Sequence, residues 1–416
     1  MVTTSISTAS AATNAEPTIK VVDLFSGAGG FSAGFRAYQP AGSGSSPFES
    51  VAAVEFDEAA AATYAANFGS AHVANIDISK WDTLPYEGEK IDVIMGGPPC
   101  QGFSALNRDN PAKKPPKAND PRNLLWREYM RVVTRIKPKI FVLENVDRFL
   151  KSQEFEDLKA STDTGGDLDD YTLRWKILNA ADYGVPQARR RAIVIATRND
   201  LGTALEHPLP THARNAGGAQ ATLDEESDEI RLLQPWVAVG DAVFSHTRET
   251  TSLINLPERT DKPLGVVLPG PYKTTELHIG RSPTPLSLAR YRAIGPGGNR
   301  HDLRNKSALV LGEQTYLSTE SWDKHNSGSG DVMGRMHVDR PSVTIRTEFY
   351  KPEKGRYLHP VADRPITHYE AALIQGFPAD FKWFGSKVQI ARQIGNAVPV
   401  GLGRVLAQAI HERLRG

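Results

Sequence analysis

In the first part of the chain a short, β-branched and apolar run repeatedly gives way to a loop and then to a helix-like stretch, and this alternation restricts the fold more than any other feature. Ile19 to Leu24 leads through a small-residue turn into Phe31 to Tyr38. Val51 to Glu55 precedes Glu58 to Phe68, and Ile91 to Gly96 precedes a loop and Leu124 to Ile136. Ile140 to Asn145 precedes a helical segment near Val146 to Leu158. Strands separated by helices need crossover connections, so the pattern predicts an α/β fold with a mostly parallel sheet covered on both faces. Ligands of such sheets gather at the carboxyl ends of the strands. Leu173 to Leu178 and Ala192 to Thr197 read as a further strand pair joined by Asn179 to Arg191.

After Arg198 the rhythm fails. As far as about Arg335 the chain is dense in Pro and Gly, as in Pro269-Gly270-Pro271 and Gly295-Pro296-Gly297-Gly298, which predicts a second, irregular domain. Helical character returns at Pro365 to Ile374 and at Val400 to Leu414. The expected division is a disordered leader over 1–18, an α/β domain over 19–200, the irregular domain over 201–337, a connecting region over 338–394 and a helix over 395–416 that returns to the first domain. At 416 residues the chain is too long for one small core. Residues 1–18 carry no Lys or Arg and no apolar stretch suited to a signal peptide or membrane span. A single cysteine excludes a disulfide framework and a multi-cysteine metal site, so a cytoplasmic protein without structural metal or membrane partner is expected.

Lys plus Arg (49) and Asp plus Glu (48) nearly cancel, leaving a net charge of +1 and no global signature of nucleic-acid binding. The local distribution is uneven. Between Tyr272 and Lys306 stand Lys273, Arg281, Arg290, Arg292, Arg300, Arg304 and Lys306 against only Glu276 and Asp302. Such a run is suited to phosphates. Asp224 to Glu229 is an acidic cluster expected to face solvent.

Asp23-Leu24-Phe25-Ser26-Gly27-Ala28-Gly29-Gly30-Phe31 follows the first strand and opens a helix, where glycines allow backbone amides to approach a nucleotide-type cofactor; a plain tight turn is the alternative. The dinucleotide fingerprint is absent, because its third glycine would fall at Ser32. Glu55, ending the second strand, suits ribose hydroxyls. Asp77, after a short strand around Val73, suits an adenine amino group. Each acid could instead cap a helix, Asp57 and Glu58 especially.

The lone thiol, Cys100, lies in Gly96-Gly97-Pro98-Pro99-Cys100-Gln101-Gly102-Phe103-Ser104, where a strand runs into a proline-stiffened turn. It is either an inert buried cysteine or a presented nucleophile, and spacing alone does not decide. Glu144-Asn145-Val146 ends the next long strand, which would set the Glu144 carboxylate beside the Cys100 loop or at a helix cap. In Gln187-Ala188-Arg189-Arg190-Arg191, strand periodicity puts Arg189 and Arg191 on one face and Arg190 on the other; a solvated charge run is the alternative. Gln101 to Asn119, with Ser104, Arg108, Lys113, Lys114 and Lys117, is a long loop suited to closing over a site.

Taken in order, these pieces resemble the DNA (cytosine-5)-methyltransferase family. The matching segments are Asp23 to Phe31, Gly97 to Ser104, Glu144 to Val146, Gln187 to Arg191, Arg340-Pro341-Ser342-Val343-Thr344-Ile345 and Gln393-Ile394-Gly395-Asn396-Ala397-Val398-Pro399. The resemblance implies a Rossmann-like, S-adenosylmethionine-dependent methyltransferase domain with a smaller target-recognition domain, here about Arg198 to His337. It makes Cys100 the nucleophile that adds to carbon 6 of a cytosine flipped out of double-stranded DNA. Glu144 is assigned to ring N3, and Arg191 with Arg189 to ring O2. Cofactor contacts are implied for Phe25, Ser26, Gly27, Gly29, Gly30, Phe31, Glu55, Asp77, Ile78, Pro98 and Asn396. The tRNA-methylating branch of the family carries a second cysteine, which this chain lacks, so DNA is the expected substrate. A binding-only relative is disfavoured by the intact Cys100, Glu144 and Arg191. By analogy, a compact chain of this kind suits a monomeric prokaryotic modification enzyme, cytoplasmic and nucleoid-associated, paired with a restriction endonuclease.

Overall fold

A computed structural model of the protein describes residues 18–88, 90–99, 125–214, 221–224, 229–247, 249–251, 254–324 and 331–415. Cys100, the loop Gln101 to Asn119, residues 1–17 and 225–228 of the acidic cluster lie outside the described residues.

The alternation noted above becomes β1 (Ile19–Leu24), α1 (Gly30–Ala37), β2 (Phe48–Glu55), α2 (Glu58–Phe68), β3 (Val73–Asn75), β4 (Val93–Gly96), α3 (Leu125–Ile136), β5 (Ile140–Asn145) and α4 (Gln153–Ser161). β6 (Tyr171–Asn179), the two-residue β7 (Gln187–Ala188) and β8 (Arg190–Arg198) follow. Seven of these form one sheet in the order β3-β2-β1-β4-β5-β8-β6. The first five run parallel, and β8 is antiparallel to both of its neighbours. The order turns back between β1 and β4, which opens a crevice outside their carboxyl ends.

Alternation within β5 explains the layering. Phe141 and Leu143 pack with Tyr129, Val132, Val133 and Ile136 of α3 on one face. Ile140 and Val142 join Phe31 and Phe35 of α1 on the other, together with Leu402, Leu406 and Ile410 of the last helix. That helix, α9 (Val400–Arg415), is preceded by α5 (Pro285–Ala293), α6 (Glu320–Lys324), α7 (His368–Ile374) and α8 (Lys387–Asn396). It crosses α1 at a glycine contact: a Cβ built on Gly34 would stand 2.6 Å from Gly403 Cα. The C-terminal helix is therefore packed directly on α1. Thr18, which the division above placed in the leader, donates through Oγ1 to Glu49 Oε2 at 2.7 Å beside β2.

Between β8 and α9 the described residues form only two-stranded pieces and short helices. Val239, Val243, Tyr272 and Leu277 share a core with Ile345, Phe349, Tyr357 and Ile366, and this core reaches Ala28 and Ala33 behind the first loop. A smaller cluster gathers Tyr291, Ile294, Leu303, Leu317 and Met333 with Leu358. The irregular region thus packs in two places against the residues after 338. Among the described residues no helix is long and apolar enough to cross a membrane.

Candidate active site

The loop after β1 is held open by its own backbone. Phe25, Gly27 and Gly29 all have positive φ, at 55°, 55° and 85°, and Phe25, not being glycine, adopts this conformation under strain. An ideal Cβ on Gly27 would meet nothing within 4 Å, so this part of the loop faces open space. Glu55, at the end of β2, receives the Gly27 amide on Oε2 at 2.8 Å and the Asp57 amide on Oε1 at 2.7 Å. Burial pushes its carboxyl up from the ordinary range, opposed by these amides. Asp57 caps α2 by accepting from the Ala60 amide at 3.0 Å. Ser26 Oγ is buried and has no hydrogen-bond partner among the described residues.

Beneath the loop runs a buried chain that sequence reading did not single out. Ser32 Oγ donates to Asp23 Oδ2 at 2.7 Å and lies 2.8 Å from Tyr64 Oη, which lies 2.7 Å from Ser50 Oγ. Burial raises Asp23 to about 7. Tyr64 sits in an alanine-rich helix and reads as ordinary core, so no local signal marks it.

The other proposed cofactor contacts surround this loop unevenly. Gly30 is covered by the end of the chain, its added Cβ falling 2.5 Å from Val398 O and 3.0 Å from Ala397 Cβ, which sets the exposed Asn396 next to the helix start. Asp77 Oδ1 accepts from the Ser79 amide at 2.9 Å and Ser79 Oγ at 2.8 Å. These bonds pull its carboxyl down. Ile78 is buried, and its carbonyl receives Arg131 Nη2 at 2.7 Å. The Phe31 side chain belongs to the core shared by α1 and α9, leaving only its backbone on the loop side.

At the crevice, the antiparallel register pairs Glu144 with Ile193 and Asn145 with Ala192, which brings the start of β8 to the carboxyl end of β5. Arg191 Nε and Glu144 Oε1 then form an ion pair at 2.8 Å, both side chains largely buried. The contact is not an aligned hydrogen bond, and Glu144 Oε1 has no hydrogen-bond partner among the described residues. Gly97 admits the carboxylate, since a Cβ there would lie 2.9 Å from Glu144 Oε2. Asn145 Nδ2 donates to Pro98 O at 3.2 Å and anchors the β4 turn against β5. That turn runs through Pro99 into Cys100.

Arg189 is buried and Arg191 largely so, while Arg190 between them is exposed. The strand breaks between β7 and β8, and Arg189 turns inward, 2% exposed, where Nη1 donates to Ile345 O at 3.0 Å and Gly395 O at 3.1 Å. Burial and the Arg191 charge pull it down to about 9. Arg190 is exposed and pairs with Asp147 at 3.0 Å. Around Arg189 lies a polar network that sequence reading missed. Gln187 Oε1 accepts from the Ile345 amide at 2.9 Å, Gln187 Nε2 donates to Gln375 Oε1 at 2.8 Å, and Gln375 Nε2 donates to Ile394 O at 2.6 Å.

Much of the basic run is committed to the protein itself. Arg290 Nε donates to Leu317 O at 2.7 Å, Lys306 Nζ to Ala293 O at 3.1 Å, Arg281 Nη1 to Tyr350 O at 3.1 Å and Arg304 Nη2 to Trp322 O at 3.2 Å.

A sheet of this order, with a glycine loop after β1 and an acid at the end of β5 paired with an arginine at the start of β8, is consistent with the S-adenosylmethionine-dependent methyltransferase fold. An unpartnered buried hydroxyl at Ser26, positive-φ amides and an acid at the end of β2 fit such a polar nucleoside cofactor. The family model of the C-5 cytosine-specific DNA methylases matches residues 19–412, and the chain belongs to that family. It is 30% identical over 398 residues to the Type II methyltransferase M1.HphI of Haemophilus parahaemolyticus, covering 94% of this chain and 86% of the relative. The likeness to Type II methyltransferase M.XorII of Xanthomonas oryzae pv. oryzae is 30% over 414 residues, covering 95% and 85%. A solved structure described as a DNA modification methyltransferase encoded within an E. coli prophage superposes with a TM-score of 0.64 at 22% identity, covering 96% of this chain and 100% of that one. S. pombe Dnmt2 methyltransferase superposes at 0.53 with 16% identity, over 96% and 100% of the two chains, a likeness of fold alone. The protein is thus a cytosine-5 DNA methyltransferase.

Proposed function

We propose that the enzyme methylates a cytosine flipped out of a specific site in double-stranded DNA, through a covalent bond between Cys100 and carbon 6. The observation that carries this reading is the Glu144–Arg191 pair, set at 2.8 Å beside the Gly97–Pro98 turn that leads into the only cysteine of the chain. Carbon 5 of cytosine is a weak nucleophile. The Cys100 thiolate forms a bond to carbon 6 and sends the electron pair of the double bond toward carbon 5. Glu144 engages ring N3, and Arg191 donates to O2 as charge develops there. Arg189, tied to the Ile345 and Gly395 carbonyls, anchors the segment that carries Arg191. Carbon 5 takes the methyl and loses its proton, and elimination of Cys100 restores the ring.

S-adenosylmethionine supplies an electrophilic methyl group when bound. The residues that would hold it are Phe25, Ser26, Gly27, Gly29, Gly30 and the Phe31 backbone, with Glu55 at the ribose, Asp77 and Ile78 near the base, and Pro98 and Asn396 at the crevice. The loop Gln101 to Asn119 closes over the extruded base and sheds water. The Type II relatives support a modification role; we propose that the enzyme acts as a monomer in the bacterial cytoplasm, on nucleoid DNA, with a restriction endonuclease as functional partner.

The test is transfer of labelled methyl from S-adenosylmethionine to unmethylated DNA and to tRNA, with Cys100→Ala beside the wild type. Label in DNA as 5-methylcytosine, absent in the variant while DNA and cofactor binding persist, is the expected result. Substantial turnover by Cys100→Ala would remove the covalent step, and label in tRNA would move the substrate.

A further inference from the structure

The short strand Ser342–Val343 pairs in parallel with Gln187–Ala188, and so lies beside the arginine segment of the active site. It belongs to the Arg340 to Ile345 motif, whose polar side chains the reaction above leaves unused. The same strand borders a cavity of about 220 Å3 whose polar lining is His337, Arg340, Ser342, Arg356 and Asp331.

Two features of this cavity point to an anion. Ser342 is 3% exposed, and its hydroxyl has no hydrogen-bond partner among the described residues. Buried hydroxyls are nearly always paired, so one left over at a cavity wall is suited to a ligand. The lining also carries two guanidinium groups against one carboxylate, and that carboxylate, Asp331, is already taken by Arg356 Nε at 2.9 Å. Arg356 Nη1 is tied to the carbonyls of Gly297 and Arg335, each at 2.7 Å, which fixes its charge in place. Arg340 is different. Its side chain is half exposed, and its one ion pair among the described residues, with Asp339, is long at 3.4 Å. It can therefore turn to a ligand at little cost.

We infer that this cavity receives a backbone phosphate of the substrate DNA, with Ser342 Oγ and the Arg340 guanidinium donating to its oxygens and Arg356 as a fixed positive wall. The inference rests on the reading of duplex DNA as substrate. Free inorganic phosphate offers the same chemistry, and the experiment separates the two sources.

Wild type, Arg340→Gln and Ser342→Ala are titrated with unmethylated duplexes of several sequences across a range of salt, and each is melted with and without inorganic phosphate. Arg340→Gln is expected to weaken binding uniformly across sequences and to reduce the slope of log K against log salt by about 0.9. Ser342→Ala is expected to bind DNA several-fold more weakly with an unchanged or higher Tm, because the lost hydroxyl supports nothing in the free protein. A merely structural serine would show the opposite, a lower Tm at unchanged affinity. Unchanged affinity and slope in both variants, with a wild type that still methylates DNA, overturn the inference alone. So does a phosphate-induced rise in Tm that Arg340→Gln abolishes while its duplex slope stays that of the wild type. A wild type that neither binds nor methylates duplex DNA refutes the substrate reading and this site with it.

Discussion

Replacing Gly34 by alanine sets two effects of opposite sign against each other. Inside a helix alanine is favoured over glycine by about 1 kcal/mol. At Gly34, however, the added Cβ would stand 2.6 Å from Gly403 Cα and 2.7 Å from both the Gly403 carbonyl carbon and Val400 O. These are backbone atoms of α9, and no rotamer change can move them. Ordinary contact begins near 3.4 Å, so α9 must retreat by about 0.8 Å. A gap of that size forfeits roughly a quarter to a half of the dispersion energy at each contact it opens, here where Phe31 and Phe35 meet Leu402 and Leu406. Over-packing of this kind costs about 1–3 kcal/mol, so the net effect is a loss of up to about 2 kcal/mol and a Tm lower by a few degrees. Gly403→Ala is the internal control. Its Cβ would meet Gly34 Cα and Phe31 O at 3.2 Å, a milder approach, and the helix-propensity gain should nearly offset it. Urea or thermal unfolding of the two variants reads the difference. Retreat of α9 also draws Ala397 and Val398 away from Gly30, so the KM for S-adenosylmethionine should rise in Gly34→Ala while DNA affinity holds. A Gly34→Ala protein stabilised by about 1 kcal/mol, as propensity alone dictates, would refute the close approach.

Two further predictions concern the acids. Glu144→Gln keeps the side-chain shape and removes the charge, and kcat should fall by about 10²- to 10⁴-fold with DNA affinity within a few-fold of wild type; comparable losses in both would make Glu144 a structural residue. For Asp23 the folded value of about 7 lies above the ordinary 3.8, so the group's contribution to stability is full below about pH 4 and is lost as pH rises toward 7. Asp23→Asn escapes that loss, and its stability relative to wild type should increase by roughly 2–3 kcal/mol between pH 5 and pH 8 in urea unfolding. A difference that is flat with pH would mean that the Asp23 carboxyl is already ionised within the fold.

The strands at the sheet centre were legible because they are buried on both faces and therefore read as unbroken apolar runs. Ile140 to Leu143 is such a run, and the expected strand Ile140 to Asn145 coincides with β5. β2 was harder: it begins at Phe48, three residues before the apolar run, because Glu49 and Ser50 stand on its less buried part. Arg189 shows where local pattern stops. A period of two gives the face on which Arg189 lies but not its partners, since Ile345 and Gly395 lie 156 and 206 residues away and nothing near position 189 encodes them. Gln375 is hidden for the same reason, its bond to Gln187 spanning 188 residues. The basic run was misleading in another way. A charge count does not distinguish a cation that meets solvent from one such as Arg290, whose guanidinium ties a distant carbonyl and stacks over Trp322 at 5.1 Å. Site geometry was legible where it follows strand order, as for Glu144 beside the Gly97 turn.

The cover that Ala397 and Val398 place over Gly30 bears on the order in which a new chain becomes an enzyme. β1 and the glycine loop leave the ribosome well before their cover, which is made some 370 residues later. Closing so long a loop is slow compared with forming the strands and helices themselves. Nascent chains should therefore carry a folded sheet centre long before they can grip a cofactor, and methylating capacity should arrive as a late, single event after translation of α9.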